Sequence, residues 1–177
     1  MFKFSSICLI AFIIGLNCCF TYAAISSQNL VPLTRLHRIY DNYNFIATES
    51  DASYAVANNG FIRQNVIGSV VLNAGDSVNE LKSIYRSYLP GPTGKDDHLF
   101  TYSDSEVNLA VNTVGYRYEG VRFYCGLKAN DFNATIPLYR FWTGVRHLYT
   151  TNYTEGNAIL VTSGVGAYEN VLCYIWQ

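Results

Sequence analysis

An aromatic-rich pattern that occurs three times constrains this chain more than any other feature. Its third copy runs Pro137-Leu138-Tyr139-Arg140-Phe141-Trp142, turns at Gly144, and continues as His147-Leu148-Tyr149-Thr150-Thr151. Two earlier segments align with the first half, Leu36-His37-Arg38-Ile39-Tyr40 and Ile84-Tyr85-Arg86-Ser87-Tyr88. Asn44-Phe45-Ile46-Ala47-Thr48 and His98-Leu99-Phe100-Thr101-Tyr102 align with the second half. The anchors Asn44, His98 and His147 lie 54 (98 − 44) and 49 (147 − 98) residues apart. Self-similarity at such a period marks one supersecondary unit used repeatedly.

Each copy continues with an Ala-containing run and closes with an aliphatic-aromatic segment: Arg63 to Val66, Tyr118 to Val121 and Tyr168 to Val171. Strands are read from β-branched and aromatic content between turns. Ser103-Asp104-Ser105-Glu106 fits a helix capping box, and Asn152-Tyr153-Thr154-Glu155 places Asn at the N-cap. The unit is therefore β-β-α-β, with copies at about 32–72, 81–127 and 136–177. The expected fold is mostly β, a β-trefoil-like module with three short helices closed around a pseudo-threefold axis. An irregular α+β arrangement of the three repeats is the alternative. Closure would remove exposed strand edges.

Residues 1–23 read as a secretory signal peptide, with Lys3, an apolar run from Ile7 to Leu16, and Thr21-Tyr22-Ala23 before the cleavage point. The run is too short to span a bilayer, which takes roughly 20 apolar residues. The remaining 154 residues (177 − 23) carry 11 basic and 13 acidic side chains, a balance of −2. No basic stripe suits nucleic acid, and no later run is long enough for a membrane helix. Cys8, Cys18 and Cys19 leave with the leader, so Cys125 and Cys173 remain in an oxidising compartment. They lie on the same face of equivalent strands, which predicts a bridge. Asn133-Ala134-Thr135 and Asn152-Tyr153-Thr154 are glycosylation sequons.

The arginines Arg38, Arg86 and Arg140 recur in every unit, which suits a scaffold role in which each pairs with a carboxylate. Glu119 and Glu169 are the expected partners. Glu106 and Glu155 are assigned to helix capping, although paired acids also bring glycoside hydrolysis to mind. His98 and His147 hold equivalent positions, but no third ligand completes a metal site. No nucleophile motif, metal-binding motif or phosphate-cradling loop appears, so no cofactor is expected. Alternation along a strand places Tyr139, Phe141, Tyr85 and His37 opposite the arginines. With His147 and His98 these are the residues expected to bind a ligand, because aromatic faces stack on sugars while nearby polar groups fix hydroxyls.

The blocks Pro137-Leu138-Tyr139-Arg140, Asp97-His98-Leu99-Phe100-Thr101, His147 to Thr151 and Gly115-Tyr116-Arg117-Tyr118-Glu119-Gly120 resemble a family of extracellular repeat domains of unknown function. Its units read PLYRLYN, TGDHFYTT and GYVYEG. The first unit departs most, with His37 for Tyr, Asn44 for His and Gln64-Asn65 for Glu-Gly. The resemblance implies a secreted module with a binding role and brings no catalytic residues. The expected function is a secreted, non-catalytic binding module for extracellular glycans, with sites in grooves between units and under the Leu89–Asp96 loop. Recognition of a surface protein is the alternative, and a glycoside hydrolase is the remaining reading.

Overall fold

The computed structural model describes residues 29–74, 80–91 and 95–177. The expected leader, with Cys8, Cys18 and Cys19, lies outside the described residues, as do Pro92, Thr93 and Gly94 of the long loop.

The chain runs through strand, strand, helix, strand three times. The first unit has β1 (Leu30–Arg38), β2 (Tyr43–Ala47), α1 (Glu49–Asn58) and β3 (Ile62–Val71). The second has β4 (Lys82–Leu89), β5 (Asp97–Thr101), α2 (Asp104–Leu109) and β6 (Arg117–Cys125). The third has β7 (Ile136–Trp142), β8 (His147–Thr150), α3 (Tyr153–Ser163) and β9 (Ala167–Ile175). In each unit the first strand lies between the second and the last, all antiparallel. The described residues are mostly β, with two antiparallel sheets and three short α-helices.

The first and closing strands of every unit slip register at the same place. Leu33 faces Gly68 but Thr34 faces Val66; Ile84 faces Phe123 but Tyr85 faces Val121; Leu138 faces Cys173 but Tyr139 faces Val171. One extra residue per closing strand, Ile67, Arg122 or Leu172, makes a bulge that bends the strand. The bend brings the ends of β3, β6 and β9 together through single pairs, Val71 with Tyr124, Gly126 with Tyr174 and Trp176 with Ser69. Gly68 is needed there, because a Cβ would meet the Ile175 side chain and the Trp176 carbonyl within 2.8 Å. Contacts of one residue pair do not make a ladder, so the described residues form two sheets and no closed barrel. The mostly β part of the expectation holds, and its trefoil-like closure is not confirmed.

Leu33, Ile84 and Leu138 occupy the same position in the three units, and all are fully buried in one core with Phe123, Phe132 and Ile175. The expected bridge is present: Cys125 at the end of β6 is bonded to Cys173 in β9.

Strand register also corrects the alignment of the first unit. Arg86 pairs with Phe100 and Arg140 with Tyr149, each two residues beyond the anchoring histidine; the residue facing Ile46, two beyond Asn44, is Arg35 rather than Arg38. His37 is therefore the counterpart of Tyr88 and Trp142 and shares the face of Arg35. It does not belong with Tyr85 and Tyr139, whose counterpart is Thr34.

Candidate functional site

The three equivalent arginines are clamped across unit boundaries by the third residue of each helix. Asp51 of α1 accepts from Arg86, Glu106 of α2 from Arg140, and Glu155 of α3 from Arg35. Each arginine's own closing strand adds a second acid where one exists. Arg86 Nε donates to Glu119, and Arg140 Nε lies 2.9 Å from Glu169 but off-line for a hydrogen bond, so that contact is electrostatic. The caps work differently from expectation. Ser103 and Asn152 side chains accept from the backbone N–H of Glu106 and Glu155, as a capping box requires. The reciprocal bonds to the cap N–H groups come from the hydroxyls of Thr101 and Thr150, which leaves both glutamates to the arginines.

Between the first two units these clamps leave an open cavity of about 360 Å³. Phe45, Phe61 and Tyr54 line it from the first unit, and Tyr88 and His98 from the second. Arg38 reaches in from the end of β1, held at 2.8 Å by both Asp41 and Asp96. Its guanidinium sits 4.9 Å from the Phe61 ring centre, where a cation is attracted to the ring face. Burial works against the charge on Asp41, but the hydrogen bond and charge of Arg38, with Arg146 behind, hold its carboxyl below the usual range. Arg117 lies 5.2 Å over Tyr88, and among the described residues it meets no carboxylate. Arg38, Arg86 and Arg117 thus face Asp51, Asp96 and Glu119 across one cavity, three cations against three anions.

His98 is the central uncharged group. Its ring is packed 4.3 Å from that of Phe45 and 4.8 Å from that of Tyr88, and its Nδ1 lies 2.6 Å from the Tyr43 hydroxyl. Burial, followed by the nearby Arg86 charge, pushes its pKa down to about 3, so the imidazole is neutral at ordinary pH. The Tyr43 hydroxyl is fully buried, with no other hydrogen-bond partner among the described residues, and burial raises its pKa strongly, so it donates to Nδ1. That assigns the ring proton to Nε2, which has no protein partner among the described residues.

His147, at the equivalent place in the third unit, is buried rather than exposed. Its Nδ1 lies 2.6 Å from Asp97, which also accepts from the His147 backbone N–H and the Tyr116 hydroxyl. Burial alone would raise the Asp97 pKa, but His147 and Tyr116 outweigh it and hold the carboxylate ionised. Nε2 lies 3.6 Å from Glu169, so a second carboxylate stands where a nucleophile would have to be. This array ties the second unit to the third.

Phe141 is also a correction, being fully buried under α3. Gly156 makes the space, since a Cβ there would overlap the ring. Tyr139 and Tyr85 remain half-buried at the surface. Tyr139 joins Tyr153 and Tyr168, and Tyr85 meets Tyr118. His37 bonds to Asn44 at 3.2 Å.

A family model described as a domain of unknown function (DUF5648) matches residues 32–176. The chain belongs to the DUF5648 family. The matched segment holds the nine strands of the described residues except the first two residues of β1, and every residue of the DUF5648 cavity falls inside it. No curated protein and no solved structure matches the chain.

Of the cavity's residues the sequence singled out His98 as a ligand candidate, gave Arg38 and Arg86 a scaffold role only, and did not point to Asp96, Tyr88, Arg117 or Phe61. Two signals were present. Asp96 ends the loop named as a site cover, and Arg117 lies inside the block Tyr116-Arg117-Tyr118-Glu119.

Proposed function

We propose that this protein is a secreted, non-catalytic binding module that takes a neutral sugar residue in the cavity between its first two units. The charge balance of that cavity carries the reading. Three guanidinium groups oppose three carboxylates around a neutral His98, and the pairs just outside the lining, Arg122 with Asp51 and Glu119 and Asp41 with Arg38, add one charge of each sign, so neither sign is in excess. What the cavity offers is aromatic surface from Phe45, Phe61 and Tyr88 beside directional donors and acceptors. Those two features together suit a molecule with C–H faces and hydroxyl edges.

A binding role is supported over hydrolysis by the acids themselves. A glycosidase needs one carboxylic acid with a raised pKa to protonate the leaving oxygen. Among the described residues the displaced carboxylates, Asp41, Glu49, Asp97 and Glu106, are all displaced downward. Glu106 is bound to Arg140 and Glu155 to Arg35, so both carboxylates are already taken by a guanidinium. The Cys125–Cys173 disulfide and the absence, among the described residues, of a helix long and apolar enough to cross a membrane are compatible with an extracellular location. Asn133 and Asn152 both lie exposed, as glycan attachment requires.

A glycan array probed with the secreted protein tests the reading. Wild type should be retained by specific neutral glycans, and Arg117→Ala or His98→Asn should weaken retention at least about tenfold with the fold intact by circular dichroism. A blank array, or retention unaffected by both substitutions, rejects the cavity as the site.

A further inference from the structure

The three units carry different residues at one set of equivalent positions. Register and helix numbering match a first-strand residue, a closing-strand residue and the first residue of the helix in each unit. In the first unit these are Thr34, Arg63 and Glu49; in the second Tyr85, Tyr118 and Asp104; in the third Tyr139, Tyr168 and Tyr153. The first carries an exposed ion pair and no ring: Arg63 donates two hydrogen bonds to the Glu49 carboxylate, at 2.9 and 2.6 Å, and a third to Ser53. The other two hold rings instead. Tyr118 is 51% exposed, Tyr153 44% and Tyr168 41%.

The ring geometry restricts the ligand. Tyr139, Tyr153 and Tyr168 stand 5.3 to 6.3 Å apart between centres and meet edge to face. Rings in mutual contact leave no gap between their faces for a cation, so they do not form an ammonium cage. In the second unit Tyr85 and Tyr118 are 6.1 Å apart, also edge to face. Asp104, Asn108 and Asn112 line the same hollow, of about 500 Å³, with no cationic side chain. Asn112 belongs to a π-helical turn, Ala110–Val114, that extends α2. A hollow holding one carboxylate, two amides and phenol rings, with no cation, does not suit an anion.

We infer that the outer faces of the second and third units are two separate sugar-stacking subsites for a glycan chain with flat, equatorially substituted rings, and that the Arg63–Glu49 pair replaces the rings in the first unit's counterpart. The inference rests on the glycan-binding reading and extends it, because the protein would then hold a chain at two outer points besides the cavity. Outward ring faces stack on the C–H face of a pyranose, and the bordering phenols, amides and Asp104 take its hydroxyls.

The test uses the secreted protein with cellohexaose and chitohexaose in calorimetry, and with cellulose and chitin in sedimentation. Tyr118→Ala and Tyr168→Ala should each lower affinity about tenfold, and the double variant should abolish sedimentation while the melting temperature stays unchanged. Full affinity in the double variant overturns the subsites; if Arg117→Ala still abolishes array retention, the cavity reading survives that result. Loss in the double variant with no effect of Arg117→Ala supports the outer subsites and rejects the cavity. No binding of either hexaose or either polymer overturns the inference, whatever the array shows.

Discussion

Arg35 in β1 and Glu155 in α3 lie 120 residues apart in the chain and form an ion pair in the fold. With Arg86–Asp51 and Arg140–Glu106 it makes a cycle in which each helix grips the next unit's first strand, the third unit gripping the first. Breaking a buried pair leaves a charge without compensation and costs about 3–5 kcal/mol, less where one partner is wetter. Side-chain exposures of 14% for Arg35 and 33% for Glu155 put this pair in the lower range. Glu155→Gln should therefore lower the unfolding free energy by about 2 kcal/mol in urea titration. A double-mutant cycle with Arg35→Met should return a coupling above about 1 kcal/mol, and a coupling near zero would mean the clamp contributes no stability.

The same cycle has a gap that can be filled. Arg86 Nε donates to Glu119, whereas the buried Nε of Arg35 has no hydrogen-bond partner among the described residues. The register explains it: Glu119 and Glu169 lie two residues before Val121 and Val171, and the first unit has Gln64 two residues before Val66. Gln64→Glu should stabilise the protein by about 1 kcal/mol by giving that N–H an ionised acceptor. An unchanged or lower urea midpoint would show that the introduced carboxylate does not reach Arg35.

The order of elements was legible because hydrophobic and aromatic content, caps and period all agreed. The arginine assignment was not, for a definable reason. Leu36-His37-Arg38-Ile39-Tyr40 and Leu33-Thr34-Arg35-Leu36-His37 both fit the spacing apolar, Arg, aromatic or His, and a three-residue shift reverses strand parity. Only pairing with β2 decides between them. The deciding clue was present in Pro32-Leu33-Thr34-Arg35, which matches Pro137-Leu138-Tyr139-Arg140 residue for residue apart from Thr34. The cavity was less legible still. Its charge balance depends on Asp51, Asp96 and Arg117 converging from three separate elements, and no local pattern encodes that.

Phe141 and Gly156 offer a test of packing. An exposed Gly→Ala change in a helix gains about 1 kcal/mol. Here the new Cβ would run into a rigid, fully buried ring, and overpacking costs about 1–3 kcal/mol. Gly156→Ala should thus destabilise the protein despite its better helix propensity, and adding Phe141→Leu should recover part of the loss. A stabilised Gly156→Ala variant would place α3 farther from β7.

The disulfide closes a loop of 48 residues between β6 and β9. Loop-closure entropy assigns such a link about 4 kcal/mol. Replacing Cys125 and Cys173 with Ala should lower the unfolding free energy by about that much, and reduction of the wild type should have a similar effect. A loss below about 1 kcal/mol would mean that the single-pair strand contacts already hold the ends of β6 and β9 together.

His98 makes stability depend on pH in a direction that can be worked out. Its folded pKa is about 3 against an ordinary 6.5, so between those values the unfolded chain binds a proton that the native state refuses. Stability then falls as pH falls through that window, by up to about 1.4 kcal/mol per unit. Asp41, Asp97 and Glu106 are held below their ordinary values of 3.8, 3.8 and 4.5, so their contribution is present above those values and is lost as pH falls through them. The two effects overlap below about pH 4.5 and are separate above it. His98→Asn, which copies Asn44 at the equivalent place in the first unit, should flatten melting temperature between about pH 6.5 and 4.5 and leave the steeper acid limb intact. A variant that loses stability over that interval as fast as wild type would show that His98 is not the group refusing the proton.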